Sequence, residues 1–577
     1  MPGSADFIQK AVHTLETGAV ALWIRRSLLL VGAVVLAVYQ LYHFRGLVTA
    51  PAMDQAQIAR HIASFQGWRT NFIRPRAIGQ LSAHGKNVAR NIQFDTYEAP
   101  LPPLVEAVAL RLIKSHWKMS PSDLVYAGDK VIAAEAVVLF LFSIVVLFLV
   151  ARRLFDQRLA FLACGLVLLC DLLWQYSLSG LPQMLMLLIF NATLYALVRA
   201  IQARHAGQPA TRWLAAAGAG FGLLALSHAL TLWMFFGALL FIAFYFRSRV
   251  RSALIVLGVV AVMYAPWLLR NFILTGNPAG VAAYAVLDGV RHSEAAHMRM
   301  LASDGSAGVA AFRDKIIANF FNETSGLFGD LGWSVVALMF FVSLLHQFKS
   351  RDAAALRWMI LAMWGGALIG MALYGVTRED GVAANELQVL FVPIMSCFGL
   401  AWLLVQWNRF GFPELARLGF IVALYFVCAL PLVLNLPYFA PAARPQIRWP
   451  PYVPPYIAVL NDWMKPNEAV ASDMPAAIAW YADRRSVWLP DTIQHFTELN
   501  DCGVLGGPVN GLYLTPVSGS QNKLGDIIKG EYKDWSPLIL RTVDMQKFSL
   551  KWATLLGIES ECVFFSDHDR SKGAKSQ

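Results

Sequence analysis

The sequence predicts a polytopic α-helical membrane protein with an extracytoplasmic α/β domain at its C-terminal end. Hydrophobic residues make up 57% of the 577 residues and charged residues only 15%, whereas soluble domains are roughly half apolar and a quarter charged. The mean hydropathy is +0.51. Long apolar runs separated by short basic loops continue to about residue 436, and the chain beyond alternates short helix-like and strand-like stretches.

Apolar segments long enough to cross a bilayer recur along the first three quarters of the chain. A membrane helix needs roughly 17 to 25 mainly apolar residues, and on this pattern we expect about eleven such helices. The predicted spans are residues 27–42, 131–150, 159–173, 181–198, 213–226, 230–246, 253–269, 333–345, 358–374, 387–405 and 418–436.

The Lys/Arg content of the short loops predicts the orientation, because cytoplasmic loops carry an excess of basic residues. We therefore expect a cytoplasmic amino terminus, large outer loops at about 45–130 and 270–332, and a multi-pass protein of a bacterial plasma membrane. The formal charge of +11 belongs mostly to these loops, so we expect contact with the lipid bilayer and none with nucleic acid. The basic loops are 25–26, 151–158, 199–212, 246–252, 348–357 and 408–417.

The sequence divides into a membrane domain (1–438) and an outer domain (439–577). The alternation in the outer domain predicts a small α/β layer with a largely parallel sheet. Cys502 and Cys562 either form a disulfide in an oxidising compartment or stay as two buried thiols. Helix-like stretches lie at 456–464 and 476–484, strand-like runs at 468–473 and 486–490, and the alternation continues at 493–501, 510–517 and 561–567.

The first outer loop opens with a carboxylate, Asp54, at the head of an amphipathic segment. An acid in this position is either a helix N-cap or a reactive group of a site, and the two roles are compatible. The loop is also basic, which the positive-inside rule does not explain for a long outer loop. Arg60, Arg74 and Arg76 therefore meet either anionic lipid headgroups or the phosphate of a substrate.

Four motifs follow one another in a characteristic order: "MDQAQIARHI" (53–62), "APLPPLVEAVALRL" (99–112), "YAPWLLRNFILTGNPAG" (264–280) and "NELQVLFVPIMSCFGLAWLL" (385–404). Their order and topology resemble those of the GT-C glycosyltransferases, in the branch that includes the protein O-mannosyltransferases and the lipid A aminoarabinose transferase. The resemblance covers about residues 27–436.

This resemblance implies a GT-C type fold and a reaction at the outer membrane face. A sugar would leave a polyprenyl-phosphate carrier for a hydroxyl of a cell-envelope glycan, lipid or protein. Asp54 matches the family's acidic position and is the predicted base. Arg270, in "PWLLRN", is predicted to bind the lipid phosphate, with Arg60, Arg74 and Arg76 as further candidates. The alternative for Arg270 is snorkelling to headgroups, and for the other three a solvated loop position.

Four further polar residues are predicted to contact the substrate. Asp95 and Glu98 precede the proline pair Pro102–Pro103, Gln183 lies in the turn before the fourth predicted span, and Glu386 begins a late span. Loop solvation, helix capping and an interfacial position are the respective alternatives. Gln55 and Gln183 stand where the family has acids, so a cation site of paired carboxylates is not expected there, and we predict no required metal or other cofactor.

Two other functional classes are compatible with the sequence. A non-catalytic membrane protein of the GT-C fold could serve the assembly of envelope polysaccharide. A transporter fits less well, because the spans carry few charges and the sequence has neither a paired half-helix signature nor a visible inverted repeat.

Overall fold

The structure is a computed structural model of the full chain. It describes residues 19–116, 118–120, 122–123, 125–290, 296–301, 308–379, 381–410, 414–435, 454–501, 505–519, 524–529, 531–540, 542, 548–556 and 562–570.

The part of the chain before residue 436 is helical. Each predicted span falls on one or more helices, so the hydropathy pattern located them correctly. The helices are α1 (Ala19–His43), α2 (Ala50–Ala63), α3 (Pro75–Ala83), α4 (Val88–Asn91), α5 (Leu101–Leu110), α6 (Ala127–Leu154), α7 (Gln157–Leu168), α8 (Asp171–Ser179), α9 (Gln183–His205), α10 (Thr211–Ser227), α11 (Thr231–Tyr245), α12 (Arg249–Thr275), α13 (Ala296–Arg299), α14 (Val309–Ser325), α15 (Leu327–Asp330), α16 (Val335–Ser343), α17 (Arg351–Tyr374), α18 (Val392–Phe410) and α19 (Glu414–Asn435). Short 3-10 turns cover Arg111–His116, Gly280–Leu287 and Gln388–Leu390.

Within the described residues, five helices are long and apolar enough to cross a membrane by length and composition: α1, α6, α9, α12 and α17. The pair α7 and α8 would make a sixth, bent by 59° at the break between them. Other predicted spans are shorter, and α16 with 9 residues reaches only about 14 Å at 1.5 Å per residue. The count of about eleven spans therefore stays a prediction.

Helix α9 lies at the centre of the helical body and packs on α6, α10 and α17. It is buried over most of its length, whereas α1 and α12 expose most of their apolar residues. Leu30, Val35, Val262 and Leu269 are examples of these exposed apolar side chains. Such surfaces on long apolar helices suit a lipid environment.

The C-terminal part is built around one sheet, and the described residues contribute six strands in the order β1-β3-β2-β4-β6-β5. The first four of these are mutually parallel, and β6 and β5 join as antiparallel strands at one side. The strands are β1 (Phe72–Ile73), β2 (Ala469–Ser472), β3 (Arg485–Trp488), β4 (Val509–Leu514), β5 (Trp552–Leu556) and β6 (Cys562–Ser566). The accompanying helices are α20 (Pro454–Ala458), α21 (Leu460–Trp463), α22 (Pro475–Ala477), α23 (Ile493–Asp501) and α24 (Ser536–Ile539), with a π turn at Ile478–Ala482 and 3-10 turns at Pro516–Gly519, Leu524–Lys529 and Lys533–Trp535.

Strand β1 belongs to the first predicted outer loop, yet it pairs with β3 through Phe72 and Ile73. The sheet therefore joins two segments that the sequence assigned to different domains. Strand β5 was not predicted. Cys562 is buried in β6, whereas Cys502 lies outside the described residues, so the disulfide between them stays a prediction.

Candidate functional site

Asp54 lies in the second turn of α2. The side chain of Thr49 accepts a hydrogen bond from the Ala52 amide at 3.3 Å, and Pro51 occupies the first turn, where its missing N–H costs nothing. Thr49 is therefore the N-cap, and the alternative reading of Asp54 as a helix cap is wrong. The Asp54 side chain is instead fully buried against the first loop.

The partner of Asp54 is Arg74, the residue before α3. The Arg74 guanidinium donates to Asp54 Oδ2 and lies between the rings of Phe72 and Tyr97, 4.1 Å and 3.8 Å from their centroids. Gln57 Nε2 donates to the other Asp54 oxygen at 2.9 Å. Both oxygens of the predicted base are thus engaged by groups from its own loop and helix.

Two more predicted residues complete this group, which we call the Asp54 cluster (Asp54, Arg74, Asp95 and Glu98). The Arg74 guanidinium lies 4.0 Å from both Asp95 Oδ1 and Glu98 Oε1. Gln55 Nε2 donates to Glu98 Oε2 at 3.0 Å. The structure therefore brings together, around one cation, carboxylates from two segments of the sequence: Asp54, and the pair Asp95 and Glu98, which follow it by 41 residues or more.

Burial dominates the electrostatics of the Asp54 cluster. Desolvation, reinforced by the Asp54 charge, raises the pKa of Asp95 to about 6. The same two causes raise the pKa of Glu98 well above its ordinary value, and the Gln55 hydrogen bond opposes this only in part. One guanidinium does not neutralise three carboxylates in a buried place, so the cluster favours holding a proton on Glu98.

Arg270 supports the same loop from α12. Its Nη1 donates to the Asp95 carbonyl oxygen at 2.9 Å and to Asn271 Oδ1 at 3.0 Å. The guanidinium lies 4.5 Å from the centroid of the Trp267 ring. Arg270 is therefore next to the Asp54 cluster, as its predicted role requires, and it also holds the chain at Asp95.

The other two predicted phosphate ligands have separate partners. Arg60 donates to the carbonyl oxygens of Trp480 and Ala479, each at 2.7 Å, and pairs with Asp483 at 2.9 Å. Arg76 donates to the His297 carbonyl oxygen at 2.9 Å. Both side chains are buried. These contacts connect the first loop to other segments of the chain, and they do not support phosphate binding by Arg60 or Arg76.

A second charged group, the Glu386 cluster (Glu323, Asp330, Arg378, Glu386 and Gln388), gathers residues from α14, α15 and the segment between α17 and α18. Arg378 Nη2 lies 2.6 Å from Asp330, 3.0 Å from Glu386 and 3.8 Å from Glu323. Gln388 Nε2 donates to Glu323 Oε2 and Asp330 Oδ2, each at 3.2 Å. Burial, with the charges of Glu323 and Asp330, raises the pKa of Glu386 to about 8.

The Glu386 cluster opens on a cavity of about 300 Å³. Arg378 and Glu386 line one side of it, and Trp333 and Tyr176 add aromatic surface. Asp171, the first residue of α8, accepts hydrogen bonds from Asn435 at 2.6 Å and Gln175 at 2.7 Å. Carboxylate, amide and guanidinium groups beside aromatic rings are the side chains that bind a polar ligand with hydroxyl groups.

Gln183 positions this cavity without lining it. Its Nε2 donates to the carbonyl oxygens of Ala383 and Ala384 at 3.0 Å and 2.8 Å, and lies 3.4 Å from that of Glu386. The side chain is fully buried, so its contacts do not support the predicted contact with substrate. Gln183 instead holds the segment that carries Glu386.

Within the described residues, a hydrogen bond connects the segments that carry the two clusters. Glu379, next to Arg378, accepts from the amide of Ala50, the first residue of α2, at 2.8 Å. Asp54 lies four residues further on, about 6 Å along the helix axis. The cavity and the Asp54 cluster are therefore neighbours at one end of the helical body.

Among the residues that the structure describes, one set of carboxylates has the geometry to hold a metal ion. The ligand oxygens of Glu323, Asp330 and Glu386 lie within 4.8 Å of one another, and all three residues are buried. Three oxygen ligands suit a hard divalent cation, but the Arg378 guanidinium already lies against the same oxygens. The prediction that no metal is required stays a prediction.

Sequence reasoning found Glu386 but missed Arg378, Asp330, Glu323 and Asp171. The available signal was weak: each is a charged residue at the edge of an apolar segment, as in "LFGDLGW" (327–333) and "VTRED" (376–380). Such residues usually lie in the interface. Only the packing of four elements shows that these side chains meet.

Residues 123–269 match the family model described as dolichyl-phosphate-mannose-protein mannosyltransferase. The structure of ArnT from Cupriavidus metallidurans bound to undecaprenyl phosphate is similar over 96% of this chain and 99% of that one, with 14% identity and a TM-score of 0.53. The chain has the GT-C fold.

Two further structures agree with this fold. ArnT from the same organism in its apo state gives a TM-score of 0.51 at 14% identity, over 95% of this chain and 98% of that one. The archaeal oligosaccharyltransferase AglB from Archaeoglobus fulgidus, in complex with an inhibitory peptide and a dolichol-phosphate, gives 0.50 at 13% identity, over 95% and 75%. No curated protein sequence matches the chain significantly. The predicted GT-C resemblance is confirmed.

Proposed function

We propose that this GT-C chain is a glycosyltransferase that moves a sugar from a polyprenyl-phosphate donor to a hydroxyl of an envelope glycan, lipid or protein. The observation that carries the proposal is the polar cavity beside the Asp54 cluster, because it places hydrogen-bonding groups, a half-exposed guanidinium and several carboxylates at one end of the helices. Structures of the same fold hold undecaprenyl phosphate or a dolichol-phosphate, which supports a lipid-linked donor.

The cavity would receive the sugar and the phosphate of the donor. Asp171, Gln175 and Asn435 present oxygen and nitrogen atoms suited to sugar hydroxyls, and Trp333 offers a ring face. Arg378 is the cation of the cavity, with 40% of its side chain exposed. A guanidinium binds phosphate oxygens through charge-assisted hydrogen bonds. Arg270, at the end of α12, would add a second positive charge.

At the anomeric carbon of the sugar, the transfer forms one bond and breaks one. The acceptor oxygen attacks the anomeric carbon of the sugar, the bond from that carbon to the phosphate oxygen breaks, and the lipid phosphate leaves with the electron pair. A carboxylate accepts the acceptor's proton, and the arginines stabilise the departing phosphate. A direct displacement inverts the anomeric configuration. Asp54 is the proposed base, and Glu98 and Asp95 are carboxylates beside it.

Asp54 works as a base only when Arg74 releases it, because both of its oxygens are engaged and the side chain is buried. The same observation favours a second candidate function. A chain whose acid is permanently bound by Arg74, and whose family acids are replaced by Gln55 and Gln183, would be a non-catalytic GT-C membrane protein that serves envelope polysaccharide assembly.

The proposed location and membrane orientation follow from the positive-inside rule. We propose a bacterial plasma membrane, a cytoplasmic amino terminus, and a site at the outer face, where lipid-linked sugar and envelope acceptor meet. Partners are the lipid bilayer, the donor and the acceptor. No cofactor is assigned.

One substitution separates the enzyme from the non-catalytic protein. Asp54→Asn keeps the size of the side chain and removes its basicity, so transfer from a panel of radiolabelled polyprenyl-phosphate sugars into cell-envelope acceptors is expected to fall at least about 100-fold. Asp314→Asn, at an exposed acid on α14, is the matched control and should transfer normally. Equal transfer by both variants would remove Asp54 as the base. No transfer by the unmodified chain with any donor would favour the non-catalytic protein.

A further inference from the structure

A second cavity lies at the other end of the helical body, where the last turns of α9 and α11 meet the first turn of α17. Its volume is about 540 Å³, which lies in the range of roughly 300–1,000 Å³ that small-ligand pockets occupy. Helix α9 begins with Gln183, beside the Glu386 cluster, and its 23 residues carry the chain about 35 Å to this cavity. We call it the basic pocket, and it is lined by Arg204, His205, Gly207, Tyr245, Arg247, Arg351, Ala354 and Ala355.

Positive charge dominates the basic pocket. Arg204, Arg247 and Arg351 all line it, and none of the three forms an ion pair with a carboxylate in the described part of the chain. Asp352 is an acid on the first turn of α17, and it is engaged by His205 Nδ1 at 2.5 Å. The described residues therefore give the pocket three guanidinium groups that no carboxylate pairs with, and one acid, Asp352, beside it that is hydrogen-bonded to His205.

Part of the basic pocket is held rigidly. The Arg204 guanidinium lies 3.7 Å from the centroid of the Tyr245 ring, and the Tyr245 hydroxyl lies 2.9 Å from His205 Nε2. Arg247 and Arg351 are exposed at its margin. A cation held against a ring, with two exposed cations beside it, suits a compact anion that accepts several hydrogen bonds.

We propose that the basic pocket binds a phosphate group, supplied by the headgroup of an anionic phospholipid in the adjoining leaflet. The positive-inside rule explains why basic residues lie on this face, but a rule about loop composition does not require Arg204 and Arg351 from two helices and Arg247 from the turn after a third to line one cavity. Basic pockets between membrane helices on the cytoplasmic side are suited to anionic headgroups. A bound headgroup would tie α9, α11 and α17 together, far from the transfer site.

The test uses the purified full-length chain in detergent and native mass spectrometry with added phosphatidylglycerol. The variant Arg247→Gln/Arg351→Gln removes the two exposed charges of the pocket, and Arg158→Gln/Arg249→Gln removes two exposed arginines on the same face that do not line it. The pocket variant is expected to bind phosphatidylglycerol about tenfold more weakly, because charge-assisted bonds to phosphate are lost. The control variant should bind as the unmodified chain does.

A second arm distinguishes the source of the phosphate. Inorganic phosphate at millimolar concentration is added to the unmodified chain and to both variants. If it binds with the same dependence on Arg247 and Arg351 while phosphatidylglycerol does not, the pocket binds a free phosphate compound and the lipid assignment is wrong. If neither probe distinguishes the pocket variant from the control, the proposal is overturned and the arginines act only in orientation. Both variants should elute and melt as the unmodified chain does.

Discussion

The Asp54 cluster and the Glu386 cluster share one arrangement of charges and differ in how exposed their arginine is. Each gathers three carboxylates around one guanidinium. The side chain of Arg74 is 6% exposed and stacked between two rings, whereas that of Arg378 is 40% exposed and lines a cavity. One charge arrangement therefore serves two purposes. In the Asp54 cluster it fixes a loop, and in the Glu386 cluster it leaves the cation available to a ligand.

Burial decides this difference. A buried charge pair gains from the low dielectric but pays desolvation, so its loss is severe when only one partner is removed. A half-exposed cation is solvated and can exchange its carboxylates for another anion at small cost. The two clusters therefore predict different responses to equivalent substitutions.

The largest expected effect is on stability. Arg74→Met leaves Asp54, Asp95 and Glu98 buried without their cation, so the free energy of unfolding should fall by about 3–5 kcal/mol. Arg378→Met also leaves buried carboxylates without their cation, but the half-exposed Arg378 admits water to them, so the loss should be smaller, about 1–3 kcal/mol. Unfolding in detergent followed by circular dichroism measures both. Equal losses would mean that the two clusters do not differ in the way proposed.

The next largest effect is on the KM for the sugar donor. Arg378→Gln removes the cation that faces the cavity, and the KM for a polyprenyl-phosphate sugar should rise about tenfold or more through the lost charge-assisted contacts. Arg378→Lys should restore part of the affinity, because the charge returns without the planar geometry. Steady-state transfer kinetics test this, with the exposed Arg313→Gln as a control. An unchanged KM in Arg378→Gln would place the donor phosphate elsewhere.

The smallest expected effect is a pH dependence. Because burial and the neighbouring acids raise the pKa of Glu386 from 4.5 to about 8, the folded chain keeps a proton there that the unfolded chain has lost. The free energy of unfolding should therefore decline as the pH rises from about 5 to about 8. Glu386→Gln should make this decline shallower, because the variant side chain does not titrate.

Melting temperatures of the unmodified chain and Glu386→Gln between pH 5 and pH 8 would show the difference. Asp314→Asn is the control, because Asp314 is exposed on α14 and belongs to neither cluster. Parallel pH profiles for the unmodified chain and Glu386→Gln would show that Glu386 does not hold the proton.

Local patterns in the sequence were sufficient for the helices and for part of the site. Hydropathy located every predicted span on a helix, and the runs at 468–473, 486–490 and 510–517 each overlap a strand of the sheet. Asp54, Asp95, Glu98 and Arg270 do lie next to one another. The helices and strands were predictable because hydropathy and strand propensity are properties of neighbouring residues. The meeting of these four site residues was implied by the family resemblance.

What the tertiary structure decided involves contacts over long separations. Only packing shows that β1 joins a sheet formed more than 390 residues later, or that Arg60 is used by Trp480 and Ala479. The meeting of Glu323, Asp330, Arg378 and Glu386 likewise depends on how α14, α15 and the segment before α18 come together. Residue types and their spacing in the sequence were enough to predict that a charged residue lies near a helix end. Its burial and its partners, which set its pKa and its chemistry, come from elements remote in sequence.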